Sequence, residues 1–405
     1  MKVCGIVSEY NPFHNGHKLH IEKSRLAAGA SHVICVMSGN FVQRGEPACF
    51  DKWLRARAAL LSGADMIIEL PVLYSTASAE FFAASAVRLI SDTNIASAVC
   101  FGSESCDIER LKKTAALLAE ESGEMIRSIK ASLKEGVAFP RARAEALEKL
   151  SGENCFLENP NDILALEYIK AIHKFNLPLE PVAIKREGAG YNSTSLKGRI
   201  ASATAIRQRL YNISELEDFV PEESLFLMKQ AVSKGMGPVC ADDFSEHLAY
   251  CLRNLSRREI SSVLDITEGL ENRILEKSQD FFSFNSLADA VKTKRYVRTK
   301  IMRALLHILL GIEKKDLLRS NSLGYVPYIR VLGFRKESEF LIKEMSKKSP
   351  LPVITSFKKA REDLSGNAAR LLLLEEKATD IYSLSAKPPS RKALGREYTE
   401  PLIVV

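Results

Sequence analysis

The feature that most constrains this chain is a regular alternation of two hydrophobic patterns over its first hundred residues. KVCGIV, 2–7, reads as a buried strand, a short apolar run with β-formers ended by SEYNP. NGHKLHIEKSRLAAGA, 15–30, reads as a helix with Gly29 near its end, and SHVICVM, 31–37, as a second strand. DKWLRARAALLSG, 51–63, reads as a helix with Asp51 as its N-cap. A third strand over 64–72 is stopped by Pro71, 79–92 is helical, and a fourth strand over 97–105 runs into Gly102. Strands that alternate with helices about every thirty residues form parallel βαβ units. Such sheets bind ligands at the carboxyl ends of their strands. The loops EYNPFHNGH, SGNFVQRGEP and GSES are therefore expected to share one rim.

Residues 107–180 read as a charged, mostly helical insertion with an irregular break over 151–162. LEPVAIKR, ending at Arg186, reads as a fifth strand. IASATAIRQRLYN, 200–212, reads as a helix starting at Ser202–Thr204. From 213 to Gly311 the apolar period is nearly all helical, and 325–405 mixes strand-like pieces (YVPYIRVLGF, PLPVIT, PLIVV) with helices. The expected fold is α/β: a Rossmann-like parallel-sheet domain over 1–212, with its helical insertion, followed by a mainly helical region over 213–405.

With 46% hydrophobic residues the chain can build a sizeable core without a metal or disulfide staple. Its eight cysteines form no CxxC pair and read as reduced, mostly buried thiols. No apolar run approaches a membrane span and the N-terminus does not read as a secretory signal, so the cytoplasm is the expected compartment. The net charge of +7 is unevenly placed. VKTKRYVRTKIMR, 291–303, carries Lys292, Lys294, Arg295, Arg298, Lys300 and Arg303 and no acid, which points to a polyanion partner. On one continuous helix, Lys292, Arg295 and Thr299 would share a face and Lys294, Arg298 and Met302 another. Tyr296 within it suits either a core position or stacking on an unpaired base.

Several phosphate and hydrolase motifs are absent. There is no GxxxxGK[ST], no GxGxxG in the first βα turn, no second glycine after the serine of FGSES, and no HExxH. What remains is HNGH at the start of the first helix. A helix N-terminus offers unpaired N–H groups and a positive dipole end to an anion. Gly16 removes a side chain where a ligand must approach the backbone. His14 and His17 can each present an N–H donor to phosphate oxygens, and Pro12 stiffens the entry. Such a group stabilises charge that shifts during nucleotide chemistry without a covalent nucleophile.

HNGH resembles the HxGH signature of the nucleotidyltransferase superfamily, relatives of class I aminoacyl-tRNA synthetases. ASATAIR, 201–207, is similar to its second signature, I-S-S-T-x-I-R, departing at Ala201 and Ala203 and keeping Ser202, Thr204, Ile206 and Arg207. The longer strings GIVSEYNPFHNGH, MSGNFVQRGEP, FGSE, NPNDILALEYIKAI and SATAIR, in this order, resemble a narrower family, the bacterial tRNA(Met) cytidine acetate ligases. The resemblance covers most of the chain and is most specific in its N-terminal half.

That resemblance implies an enzyme that makes acetyl-adenylate from ATP and acetate with release of pyrophosphate. It then acetylates the wobble cytidine of elongator tRNA(Met) to N4-acetylcytidine. His14 and His17 would be catalytic. The ATP site would comprise Val7, Ser8, Glu9, Tyr10, Asn11, Pro12, Phe13, His14, Asn15, Gly16, His17, Lys18, Leu19 and His20, completed by Gly102, Asn161 and Arg186. Gly102 would allow close approach of base or ribose, and Asn161 would read polar edges through both halves of its amide. Thr204 and Arg207 are added for the triphosphate, and Arg44 is a candidate for steering acetate or phosphate. Lys292, Lys294, Arg295 and Arg298 are the candidate tRNA contacts. Mg2+ is expected from the charge of the polyphosphate; no carboxylate cluster marks its ligands, and Glu9 is the one considered. Two other readings explain HNGH and SATAIR: a small-molecule nucleotidyltransferase, which leaves 291–303 without a role, and a non-catalytic tRNA-binding or nucleotide-sensing protein.

Overall fold

The computed structural model describes residues 1–405 except 121–122, 138, 152–158, 187–199, 268 and 281–282. Five strands are parallel neighbours: β1 (Val3–Ser8), β2 (His32–Ser38), β3 (Met66–Leu70), β4 (Ala96–Ser103) and β5 (Glu180–Lys185). β1 pairs with β2 through Cys4↔Val33, β2 with β3 through Ile34↔Met66, β1 with β4 through Cys4↔Ala98, and β4 with β5 through Cys100↔Val182. The order is β3-β2-β1-β4-β5, so the winding reverses at β1, where a crevice opens beyond the strand ends.

Both faces of this sheet are covered. Ile34 and Val36 enter one apolar cluster, while Val33, Cys35 and Met37 enter the other. Burial on both faces is why these strands read as continuous apolar runs rather than alternating ones. Helices α1 (Asn15–Ala27), α2 (Lys52–Leu61) and α3 (Ala79–Asp92) connect the strands. The Asp51 carboxylate caps α2 by accepting from the Leu54 N–H at 2.9 Å. The insertion is helical over Ile108–Glu120, Gly123–Lys134, Phe139–Ser151 and α4 (Pro160–Lys174). Most of the expected break at 151–162 lies outside the described residues. The ASATAIR segment forms α5 (Ala203–Arg207), with the Ser202 hydroxyl accepting from the Ala205 N–H at 3.1 Å.

The strand-like pieces of the C-terminal part join the same sheet. β6 (Ile329–Phe334) pairs antiparallel with β3 through Ile68↔Val331, and β7 (Val353–Ile354) and β8 (Ile403–Val404) flank β6. The outer edge of β3, otherwise an open row of N–H and C=O groups, is thereby closed.

The basic segment 291–303 is not one helix, which corrects the expected faces. A helix over Phe284–Val291 ends with Lys292 as its cap, the chain turns through 293–297, and α6 (Arg298–Leu310) begins afresh. Lys292, Lys294 and Arg295 are exposed on that turn, while Tyr296 is buried and carries the Arg295 and Lys300 cations over its ring at 5.7 and 5.9 Å. Tyr296 is therefore a packing residue. Arg298 is held by Asp289 at 2.8 Å and Asn285 at 2.6 Å.

The body of α6 packs against the loop after β2. That loop is a hairpin of Phe41–Val42 with Glu46–Pro47, turned by Gly45 at φ +77. A Cβ on Gly45 would overlap backbone atoms of Met302 and Arg303, so both the conformation and the close approach require glycine. A further helix, α7 (Gly366–Ser383), lies against the same region through Tyr382, whose hydroxyl donates to the Ala48 carbonyl at 2.7 Å.

Candidate active site

The loops after β1, β2 and β4 meet, as expected, around one cleft of about 240 Å³ at the switch point. Its floor is α1, whose N-terminus is capped by histidine on histidine. His14 is the N-cap, its Nδ1 accepting from the Gly16 N–H at 3.1 Å, and His17 Nδ1 accepts from the His14 N–H at 3.3 Å. A backbone N–H can only donate, so both Nδ1 atoms are unprotonated acceptors and both rings carry their proton on Nε2. The rings stack with centroids 3.7 Å apart.

Burial lowers the His14 pKa to about 3, helped by the charges of Arg186 and Arg207. It lowers His20 to about 4, with Arg186 adding to it, and pushes His17 well down, helped first by its His14 neighbour. All three are neutral near pH 7, so each ring has one N–H to offer. The His20 Nε2 has no hydrogen-bond partner among the described residues.

Gly16 is needed for a reason the sequence did not supply. A Cβ there would lie 2.9 Å from His14 Cε1 and 3.1 Å from its Nδ1, so the missing side chain makes room for His14 itself. Gly16→Ala is expected to displace the His14 ring, lose its cap at a cost of about 1 kcal/mol, and lower nucleotide affinity. Denaturant unfolding and calorimetric ATP titration check both.

The cleft wall also has an apolar part, with Phe82, Phe101, Leu164, Tyr168 and Ile184. Gly102 is the penultimate residue of β4, and a Cβ on it would meet Arg186 Cγ at 3.3 Å, so it seats the Arg186 stem. Asn161 Oδ1 accepts from Arg186 at 3.4 Å while its Nδ2 donates to Glu104 at 2.5 Å. Arg207 donates to the Asn11 carbonyl at 2.8 Å and to Thr204 Oγ1 at 3.3 Å, which ties α5 to the loop after β1.

Among the sequence-derived residues, Val7, Ser8, Glu9, Tyr10, Asn11, His14, Gly16, His17, Leu19, His20, Gly102, Asn161, Arg186, Thr204 and Arg207 line this cleft, as does Arg44. Pro12, Phe13, Asn15 and Lys18 do not. Phe13 is packed into the core against Tyr10, ring centroids 4.9 Å apart, Asn15 donates its amide to the Asp218 carbonyl at 2.9 Å, and Lys18 lies beside Glu22 and Arg25 on the far side of α1. Lys292, Lys294, Arg295 and Arg298 lie outside it.

Three residues that shape the cleft escaped the sequence reading. Arg55 is fully buried and donates to the carbonyls of Glu9 at 2.5 Å, Phe50 at 2.9 Å, Ser38 at 3.2 Å, and Gly39, clasping the loops after β1 and β2. Its signal was a charge on the buried stripe of α2, one turn from Lys52 and next to Ala56. Asp162, fully buried, accepts from Ser103 Oγ at 2.5 Å, Ser105 Oγ at 3.2 Å and the Glu104 N–H at 3.1 Å, setting the loop after β4. Glu104 completes that loop from the other side.

Glu9, the carboxylate considered for a metal, accepts the Gln43 N–H at 2.9 Å, and desolvation raises its carboxyl despite that bond and the Arg207 and Arg44 charges. Among the described residues no group of three or more His, Cys, Asp or Glu could hold a metal ion. The described lining of the cleft therefore supplies no cage of its own for magnesium.

A doubly wound sheet with an imidazole-capped helix at its switch point defines a nucleotide-handling α/β protein of nucleotidyltransferase type. The HIGH Nucleotidyl Transferase family matches residues 1–397. A tRNA(Met) cytidine acetate ligase of Thermoanaerobacter sp. (strain X514) is 40% identical over 408 residues, covering all of both chains. The crystal structure of Thermotoga maritima TmcAL, apo form I, superposes with a TM-score of 0.95 at 35% identity over all of both chains. The form II structure of that protein, bound with alpha-thio ATP, superposes at 0.92 with 34% identity, again over all of both chains. The chain belongs to the HIGH nucleotidyl transferase family and, within it, to the tRNA(Met) cytidine acetate ligases. No helix among the described residues is long and apolar enough to cross a membrane.

Proposed function

We propose that this chain joins acetate to the wobble cytidine of elongator tRNA(Met) at the expense of ATP. The observation that carries the reading is the pair of neutral imidazoles whose Nε2–H groups are left for a ligand at a helix N-terminus. An acetate oxygen attacks the α-phosphorus, the bond to the bridging oxygen breaks, and acetyl-adenylate and pyrophosphate result. His14 and His17 donate to the oxygens on which negative charge builds, and they need no proton transfer to do so. Arg207 and Thr204 flank the phosphates from α5, and His20 offers its unpartnered nitrogen. Arg44, beside Glu9, is assigned to the acetate carboxylate. The cytidine N4 amine then attacks the activated acetyl carbon, AMP leaves, and the amine loses a proton. Magnesium accompanying ATP would offset the charge of the polyphosphate.

The domain division follows the same logic. Residues 1–212 carry the ATP site and 213–405 the tRNA surface, although β6, β7 and β8 complete the first part's sheet. The turn bearing Lys292, Lys294 and Arg295 is assigned to the RNA backbone, with Arg298 supporting it through Asp289. The triple variant Lys292→Glu, Lys294→Glu, Arg295→Glu is expected to weaken tRNA binding and to flatten the slope of log K against log salt by about 2. Acetate-dependent ATP turnover should persist; filter binding across a salt series and a pyrophosphate assay read the two. The function itself is tested by mass spectrometry of tRNA nucleosides after incubation with ATP, labelled acetate and unmodified tRNA(Met). Labelled N4-acetylcytidine is expected, and its absence overturns the reading.

A further inference from the structure

Glu104 lies behind the cleft wall rather than in it, yet its contacts decide what Asn161 can recognise. One Glu104 oxygen, Oε1, accepts from Asn161 Nδ2 at 2.5 Å, and the other, Oε2, accepts from the Asp162 N–H at 3.0 Å. A carboxylate only accepts, so the amide of Asn161 cannot turn over: its NH2 is committed to Glu104 and its Oδ1 faces the cleft. The expectation that Asn161 reads a ligand through both halves of its amide is replaced by a single acceptor. Arg186 reaches one side of that oxygen at 3.4 Å, a long contact that leaves a second lone pair.

Asn161 belongs to one face of α4. Leu164 and Tyr168, three and seven residues on, line the cleft beside it, and Phe82 and Phe101 belong to the same apolar part of the wall. The His14 and His17 pair and Arg207 line the same cleft and offer donors to an anion, with Arg186 close enough for its charge to act on His14. An apolar wall with the Asn161 acceptor beside it suits a heteroaromatic base, with the acceptor reading its edge.

We infer that Glu104 is a positioning residue that sets base selectivity: by locking Asn161 Oδ1 toward the cleft it selects a purine with an exocyclic amino donor at position 6. A 6-oxo purine would set oxygen against oxygen with no proton between them. The inference rests on the reading of the cleft as an ATP site. It also predicts the effect of one atom. In Glu104→Gln, the single carbonyl of the new amide is claimed by the Asp162 N–H, which has to be satisfied. The NH2 then faces Asn161, donates to its Oδ1, and turns the Asn161 amide so that Nδ2 meets the base.

The test is equilibrium binding of ATP and of inosine triphosphate, which differ at position 6 and N1 and not in bulk. It is measured by calorimetry on the full chain, without tRNA or acetate. The wild type is expected to prefer ATP by about tenfold or more, and Glu104→Gln to shift the ATP-to-ITP ratio by at least about tenfold toward ITP. Asn161→Leu, which keeps the wall apolar and removes the amide, is expected to lose the preference, and it serves if Glu104→Gln does not fold. A merely structural role for Glu104 would weaken both nucleotides equally. A wild type that binds the two alike, or that binds neither, overturns the inference. So does an unchanged ratio in Glu104→Gln, or in Asn161→Leu. Each of these results except failure to bind ATP at all leaves the acetylation assay free to succeed, so the two failures are distinguishable.

Discussion

His17→Asn is expected to lower acetate-dependent pyrophosphate release by about 10²–10³ while the protein remains folded. The choice of asparagine follows from the two jobs of the ring. His17 Nδ1 holds the His14 N–H at 3.3 Å, and the Nε2–H is the group left for the ligand. The Asn side-chain oxygen reaches the Nδ1 position and keeps the cap, but nothing replaces Nε2. Unfolding free energy should therefore stay within about 1 kcal/mol of the wild type, and the loss should fall on turnover. His17→Gln makes the opposite exchange, keeping a donor near Nε2 and losing the cap, and should be less stable and more active than His17→Asn. If His17→Asn retains wild-type turnover, His17 stabilises the helix and not the reaction.

The second large effect is expected from Lys52, which lies outside the cleft. Its ammonium is fully buried between Glu69 at 2.6 Å and Glu397 at 2.5 Å, with Glu375 at 3.5 Å. Arg330 bridges the same two carboxylates, Glu69 at 2.6 Å and Glu397 at 2.5 Å. Two cations thus face three carboxylates, the five groups coming from α2, β3, β6, α7 and the short helix Arg396–Thr399, which joins the C-terminal segments to the first βαβ units. Burial opposes the charge on Lys52, but Glu397 and Glu69 outweigh it and raise its pKa. Lys52→Met strips one cation from a site that water does not reach and should cost about 3–5 kcal/mol, read by denaturant unfolding.

The uneven count leaves one carboxyl protonated. Burial, and then the Glu69 charge, push Glu375 up to about 8, against an unfolded value of about 4.5. The folded protein therefore keeps a proton that the unfolded chain gives up. This contribution to stability is fully present below about pH 4.5 and is lost as pH rises through 8. Glu375→Gln, neutral at every pH and still able to accept the Val72 N–H that Glu375 holds at 2.7 Å, removes that dependence. Its stability relative to the wild type should climb between pH 5 and 8. A constant difference across that range would place the extra proton elsewhere.

Much of the cleft was legible because local rules coincide there. The β1 strand, the histidines at the start of α1, the Asp51 cap and the Ser202 cap each follow from a few neighbouring residues. The site residues that the sequence reading misplaced are those whose side chains answer to distant partners. Phe13 immediately precedes HNGH but packs into the core, and the basic run 291–303 was read as one helix although it breaks at 292–297. Arg55 and Glu104 were passed over because their partners are backbone carbonyls and an amide held in place by the fold.

The sequence by itself determined the parallel βαβ frame, the histidine-bearing helix start, and the family resemblance, since these depend on residue types at short, regular spacing. Only the tertiary structure decided which nitrogen of each histidine is left for a ligand, why Gly16 is bare, and which half of the Asn161 amide faces the cleft. It also decided that the last strands complete the first sheet. The physical reason is common to these: a hydrogen bond and a buried charge are defined by which partner arrives, and the partners arrive from loops and strands far along the chain.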